Sequence, residues 1–376
     1  MRVIFAGGGT AGHINPALAI AGYLKDKDSK CEILYVGAKG GMEERLVAQA
    51  GYELKTIKIS GFRRSLSPGA IKDNIITLKR AFSSTADAKK IIKEFKPDIC
   101  IGTGGYVSGP VIRAAVKLGI PAVIHEQNAF PGVTTKMLSK KVQKVMLANP
   151  YAKNYLSDSC HFVTTGNPVR GEIITAGRET SRKALGLDDR PVILSFGGSL
   201  GARKINEGVA DLIARSGKDG KYQIIHAYGQ YGKWFPDLLR QKGIEPDKCP
   251  NLDIREYINN MPVCLAAADL VICRAGAITL SELQVQGKPA ILIPSPNVAE
   301  NHQYHNAMSM VKAKAAFIIE ESELDGEKVI KLVDEILSDK ERLKEYSQNA
   351  GKMAIVDAND RIYSVIRTVL NGTAKK

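Results

Sequence analysis

"RPVILSFGGSLGARKINEGVADLIARS", residues 190–216, decides the fold. A short, mostly apolar run, Val192 to Phe196, comes first. Such a run, bounded by a turn, marks a strand buried on both faces, as in a parallel sheet. Glycines 197, 198 and 201 then make a turn, and 202–215 reads as a helix. The unit is therefore strand, glycine turn, helix.

The same unit recurs on both sides. Upstream, "RVIFAG" precedes a helix over 15–27, "CEILYVG" one over 41–50, "DICIGTG" one over 109–118 and "PAVIHEQ" one over 132–141. "VQKVMLA" and "CHFVTTG" close that series. Downstream, "YQIIHAYG", "DLVICRAG", "PAILIPSP" and "AAFIIEE" are each followed by a helix. Right-handed crossovers then give α/β domains with doubly wound parallel sheets. The chain has 376 residues, a length that suits two domains. The break falls at the Gly-Asn-Pro turn near 166–172, giving domains 1–166 and 167–354. Helices over 327–338, 340–352 and 357–371 have no strand after them, and the last, about 355–376, is expected to pack back on the first domain. The halves resemble distant copies of one architecture.

Three strand ends carry glycine clusters: "GGGTAGH" (7–13), "GTGGYVSG" (102–109) and "FGGSLGAR" (196–203). Glycine lets backbone approach a ligand, and the following helix offers unpaired N–H groups. Each alone is equally well a tight strand-to-helix turn. Gly7, Gly9 and Gly12 satisfy the dinucleotide spacing, but the second strand ends "YVGAKGG" without the carboxylate a ribose would need. A nicotinamide-linked dehydrogenase is thereby disfavoured. No glycine run is followed by Gly-Lys-Ser/Thr, so a P-loop is absent.

"CRAGAITLSE", 273–282, is more specific. Arg274 ends a strand, and Gly276 and Ala277 make a turn. The N–H groups of Ala277, Ile278 and Thr279 open a helix, where an anion gains about 0.3–1 kcal/mol from the dipole. Thr279 adds a hydroxyl and Glu282 a carboxylate. A carboxylate does not bind phosphate, but it accepts two hydrogen bonds from a sugar diol. A nucleoside diphosphate carries both a diol and a pyrophosphate, so these residues point to a nucleotide-activated compound. The plainer alternative is a first-turn glutamate favouring its own helix dipole.

Bulk properties narrow the choice. The net charge is +14, which favours anionic partners: phosphates, nucleic acid or lipid headgroups. Aromatic residues are 6% of the chain and no RNA-binding motif occurs, so a nucleic-acid partner is not expected. Six scattered cysteines without a CxxC pair read as a reduced, cytosolic protein with no disulfide framework or zinc site. "MRVIFAGGG" is a strand, too short for a signal peptide, and no window approaches 18 apolar residues. "DKD" (26–28) reads as solvated surface, and "HQYH" (302–305) lacks a third ligand, so no metal site is expected.

"GGTAGH", "HEQNAFPG" (125–132), "TGNPVR" (165–170), "FGGSLGAR", "CRAGAITLSEL" and "ENHQYHNA" (300–307) occur in this order. Together they closely resemble the MurG family of bacterial peptidoglycan glycosyltransferases. These move N-acetylglucosamine (GlcNAc) from its UDP donor to the muramyl C4 hydroxyl of undecaprenyl-pyrophosphoryl-muramyl-pentapeptide. The resemblance implies the GT-B fold, two Rossmann-like domains facing a cleft. It implies inversion at the anomeric carbon, no metal and no cofactor. It places the donor mostly on the second domain. Glu282 would hold the ribose diol. Ala277, Ile278, Thr279, Leu280 and Ser281, with Ser199, would bind the pyrophosphate. Ile258 would offer backbone groups to uracil, Arg170 would neutralise phosphate charge, and Gln303 would bind sugar hydroxyls. Thr10, Ala11, Gly12 and Asn128 would meet the sugar from the first domain.

The chemistry needs a base for the acceptor hydroxyl. His13, at a helix start, is of the side-chain type most often used for proton transfer. Its alternatives are a helix cap or a substrate-positioning hydrogen bond. Glu126 is the other candidate base, or else a structural loop carboxylate. A lipid acceptor requires an anionic membrane surface, with the protein peripheral on its cytoplasmic face. Helix 71–82, "IKDNIITLKRAF", carries Ile71, Ile75, Leu78 and Phe82 on one stripe, a pattern shared by interfacial and core-facing helices. "SGFRRSLSPG" (60–69) and "KMLSKKVQK" (136–144) add cations. Other cell-wall synthesis proteins are partners this reading allows. The enzymatic rivals are a UDP-sugar epimerase and a glycosyltransferase with a soluble acceptor.

Overall fold

The computed structural model describes residues 1–59 and 83–373, so the stripe on 71–82 and the cations of 60–69 lie outside the described residues. The chain divides into two compact units, one of Met1–Pro168 with Asp357–Lys376, the other of Val169–Val356.

The first unit carries β1 (Arg2–Gly7), β2 (Glu32–Ala38), β3 (Glu53–Ile57), β4 (Ile99–Gly104), β5 (Ala122–Glu126), β6 (Lys144–Leu147) and β7 (Phe162–Thr164). They form one sheet in the order β3-β2-β1-β4-β5-β6-β7. Its pairings are parallel, with Ile4 opposite Leu34 on one side and Cys100 on the other. The second unit carries β8 (Val192–Phe196), β9 (Gln223–Ala227), β10 (Leu252–Arg255), β11 (Leu270–Cys273), β12 (Ala290–Leu292) and β13 (Ala316–Ile318). Their order, β10-β9-β8-β11-β12-β13, repeats the first pattern. The expected α/β class is borne out: both sheets have the Rossmann-like order, with the switch point between β1 and β4 and between β8 and β11.

Alternation along each central strand explains the two-sided cores. Val3 and Phe5 join one buried cluster while Ile4 and Ala6 join another on the opposite face. In β8, Val192 and Leu194 face one cluster and Ile193 the other. Helices cover both faces, as parallel strands require. The C-terminal helix Ala358–Thr373 returns to the first unit, where Ile362, Ile366 and Val369 pack in the cluster of Ile14, Ala17 and Leu24. Tyr23 donates to Asp360 across this contact.

Two strands had no counterpart in the apolar runs, β3 ("ELKTI") and β10 ("LDIR"). Both lie at sheet edges. An edge strand is half solvated and carries polar residues, so no continuous apolar run marks it. Several helices also begin earlier than read: Ala11–Lys27 starts directly at the glycine loop, and Gly105–Lys117 starts one residue beyond β4.

Ile366 is fully buried between the returning helix and the first sheet. Ile366→Ala should destabilise the first unit by about 2–5 kcal/mol, read as a lower urea midpoint for that unit with the second unit's transition unmoved.

Candidate functional site

In the first unit the loops after β1 and β4 meet at the switch point. The Gly8 N–H donates to Gly104 O at 3.3 Å. A Cβ on Gly105 (φ +74) would fall 2.0 Å from Gly8 O, and one on Gly104 (φ +100) would fall 2.8 Å from His13 Nδ1. Glycine here therefore serves backbone contact between two loops and leaves room for the His13 ring. The Thr103 hydroxyl donates to His13 O at 2.7 Å. Thr10 precedes the helix Ala11–Lys27 in extended conformation and supplies no side-chain cap, so Ala11 and Gly12 open the helix directly from the glycine loop. His13 follows these residues in the same turn.

The His13 ring faces the loop after β5. Its Nδ1 lies 3.2 Å from Gln127 Oε1. The Gln127 amide nitrogen donates to His125 O at 2.9 Å and lies 3.0 Å from His125 Nδ1. His125 Nε2 lies 2.9 Å from Gly166 O. Burial holds His125 below the ordinary imidazole range, against an opposing bond to Gly166, and keeps it neutral.

Glu126 is buried and fully engaged. Its Oε1 accepts from the Asn128 N–H and side-chain amide, both at 3.1 Å. Its Oε2 accepts from the Gly132 N–H at 3.0 Å and the Thr135 hydroxyl at 2.6 Å. Four donors saturate the carboxylate, which is the geometry of a loop anchor rather than of a base open to a substrate proton. Asn128 is held beside it.

Sequence reading missed Glu43. It is fully buried, and its Oε1 accepts from the Gly9 N–H at 3.0 Å. A Cβ on Gly8 would fall 1.7 Å from the same oxygen. Glu43 therefore shapes the "GGGTAGH" loop from beneath. It stands in an unremarkable first turn, "MEER", and nothing local marks it.

In the second unit the helix Ala277–Val285 starts after β11 with Gly276 as its N-cap and no side-chain cap. Leu280 points into the core, so only its backbone is available to a ligand, and the Ser281 hydroxyl donates back to Ala277 O at 3.2 Å. Ile278 and Thr279 are half-buried on the opening turn. Glu282 is the sixth helical residue and the first turn holds no acid, so the dipole-favouring alternative fails. Its side chain is 14% exposed and lies 3.8 Å from Arg170, itself 54% exposed. That distance exceeds a hydrogen bond, so the solvated guanidinium offsets little of the burial cost. Burial pushes the Glu282 carboxyl up to about 7, with Arg170 pulling the other way.

Arg274, by contrast, is committed to structure. It pairs with Glu321 and donates to Ile293 O and Pro294 O at 3.1 and 3.2 Å. The cation beside Glu282 is Arg170, not the arginine of "CRAG". Ser199 lies exposed on the glycine loop after β8, its carbonyl accepting from the Gln230 N–H at 3.2 Å. Ile258 packs its side chain in the core with Leu280. Gln303 Oε1 accepts from the Ser295 N–H at 2.9 Å. The turn before its helix holds Glu300 and Asn301 at φ 54 and 48. Left-handed non-glycine pairs of this kind cost energy and gather at functional sites. Asn306, a turn beyond Gln303, donates to Ala275 O at 3.2 Å and ties this helix to the "RAG" turn.

Two family models match the chain: the glycosyltransferase family 28 N-terminal domain over residues 3–147 and its C-terminal domain over 192–362. The chain belongs to glycosyltransferase family 28. Its GT-B fold and the expected resemblance are thereby borne out. A relative from Acetivibrio thermocellus is 45% identical over the full length of both chains. One from Lactococcus lactis subsp. cremoris is 40% identical, covering 99% of this chain and 100% of its own. Both are named as UDP-N-acetylglucosamine–N-acetylmuramyl-(pentapeptide) pyrophosphoryl-undecaprenol N-acetylglucosamine transferases. The crystal structure of Acinetobacter baumannii MurG matches with TM-score 0.77 at 31% identity, over 98% of this chain and 99% of that one. A Neisseria meningitidis UDP-GlcNAc 2-epimerase matches with TM-score 0.65 at 15% identity, over 98% of this chain and 100% of that one, a likeness of fold alone.

The raised carboxyl has a stability consequence. The unfolded chain releases the Glu282 proton near 4.5, whereas the folded chain holds it to about 7. Between those values the native state binds the extra proton, so stability falls as pH rises, by about 3 kcal/mol once both states are ionised. Glu282→Gln removes the charge and should raise the second unit's melting point at pH 8 while leaving it nearly unchanged at pH 5, as read by thermal unfolding at each pH.

Proposed function

We propose that the chain transfers N-acetylglucosamine from UDP-GlcNAc to the muramyl C4 hydroxyl of a lipid-linked muramyl-pentapeptide, with inversion and without a metal. Supporting this reading are the full-length likeness to transferases named for that reaction and the buried Glu282 on the helix that opens at Gly276 without a side-chain cap. The second unit holds the donor. Glu282 accepts from the ribose hydroxyls, while the amides of Ala277, Ile278 and Thr279, with Ser199 and Arg170, receive the pyrophosphate. Ile258 meets uracil through its backbone, and Gln303 meets the transferred sugar.

The first unit supplies the base. His13 takes the proton of the acceptor hydroxyl as that oxygen bonds to the anomeric carbon. The bond from that carbon to the diphosphate breaks, and its electron pair leaves on UDP. Cationic and helix-start groups stabilise the growing charge. Thr10, Ala11, Gly12 and Asn128 orient the sugar.

The decisive experiment supplies UDP-GlcNAc with a lipid-linked muramyl acceptor and looks for the disaccharide-linked product. His13→Ala should keep UDP-GlcNAc affinity and lose about 10²–10⁴ in kcat. Glu282→Ala should lose UDP-GlcNAc binding in calorimetry. In the parent, ribose hydroxyls favour the ionised carboxylate, so affinity should fall about tenfold from pH 8 to pH 6. The diphosphate diester does not titrate in that window.

We further propose that the first unit rests on an anionic membrane surface at the cytoplasmic face. Val133 and Met137 are 57% and 55% exposed on the helix Val133–Leu138, and exposed Lys140 and Lys141 follow. Among the described residues no helix is long and apolar enough to cross a membrane. The chain should sediment with vesicles containing anionic lipid, and less so at high salt. An absence of binding at low salt refutes this part.

A further inference from the structure

The two side chains behind His13 have no role in the reading above, which accounts for the other residues of "HEQN". His125 and Gln127 are buried on the same side of the chain leaving β5, two residues apart, and they end at the His13 ring.

Donor and acceptor assignments follow by elimination from the far end. Gly166 O is a carbonyl and only accepts, so His125 Nε2 carries the hydrogen of that 2.9 Å bond. His125 is neutral because burial disfavours the cation, so its Nδ1 is bare and accepts. The Gln127 amide nitrogen fits there at 3.0 Å, and the same nitrogen donates to His125 O at 2.9 Å. Flipping the amide would set its oxygen against two acceptors. The Gln127 oxygen therefore faces His13, and at 3.2 Å it accepts only if Nδ1 bears the hydrogen. The missing Cβ of Gly104 gives the ring its place, and Thr103 holds the His13 carbonyl.

We infer that Gln127 and His125 are positioning residues that place the His13 proton on Nδ1 and leave Nε2 as the bare nitrogen turned to the acceptor hydroxyl. The inference rests on His13 as the base of the proposed reaction. The line Gly166 O, His125, Gln127, His13 fixes which nitrogen is basic, while the base itself stays His13. An imidazole without this partner divides between two tautomers, and only one of them presents Nε2 as an acceptor.

The test uses the full chain labelled with 15N histidine, in alkaline buffer, with the His13 signals assigned by their loss in His13→Gln. The parent should show His13 protonated at Nδ1 and bare at Nε2. Gln127→Leu keeps the side chain's bulk without its oxygen and should move His13 toward the Nε2–H form. It should also lower kcat by about ten- to a hundredfold, with KM for UDP-GlcNAc within about twofold. A parent His13 bare at Nδ1, or a tautomer unchanged in Gln127→Leu, overturns the inference. The parent spectrum decides alone if that variant does not fold. A tautomer that moves while kcat does not upholds the positioning and removes His13 as the base, so the two readings fail separately.

Discussion

Parallel pairing is the constraint on which the molecule depends. A parallel strand can only be reached by a crossover, and the crossover covers the sheet face with a helix. Both faces of β1 and β8 must then be apolar, as Val3 to Ala6 and Val192 to Leu194 are. All strands of a unit point one way, so their carboxyl ends and helix starts gather along one edge. The glycine loops and the helix starts proposed to meet the ligand are placed there by this rule, in each unit separately.

Two glutamates show how environment assigns work to one residue type. Glu126 is buried among four donors and spends its lone pairs on its own loop. Glu282 is buried with a guanidinium at 3.8 Å, too far to hydrogen-bond. The second arrangement leaves the carboxylate's burial largely uncompensated, a cost that the proposed ribose diol would relieve. Such unrelieved polarity is characteristic of sites selected for binding over stability.

Sequence reading went furthest where apolar runs were long. The central strands and the β/α alternation were legible because burial on both faces leaves a composition signal. The edge strands β3 and β10 left none, since solvent takes one side of each. At the site, Glu282 stood out for its spacing from a glycine turn. Arg274 stood out equally, but its partners Glu321, Ile293 and Pro294 are 19 or more residues away, beyond any local pattern. Glu43 reaches the first glycine loop across 34 residues for the same reason. Gln127 and His125 were in view within a quoted motif, but which nitrogen carries a proton is a property of contacts, not of spacing.

The return of the last helix to the first unit bears on how the chain is made. Tyr23 and Asp360 are 337 residues apart, and Ile14 shares its cluster with Ile362. During synthesis the amino-terminal sheet and its first helix emerge early, yet the cluster of Ile14, Ala17 and Leu24 lacks part of its cover until the helix Ala358–Thr373 leaves the ribosome. Domains mature in order from the amino terminus when their contacts are local. Here the first unit to be translated is the last to be finished, and the nascent protein exposes apolar surface throughout the interval in which the other unit folds.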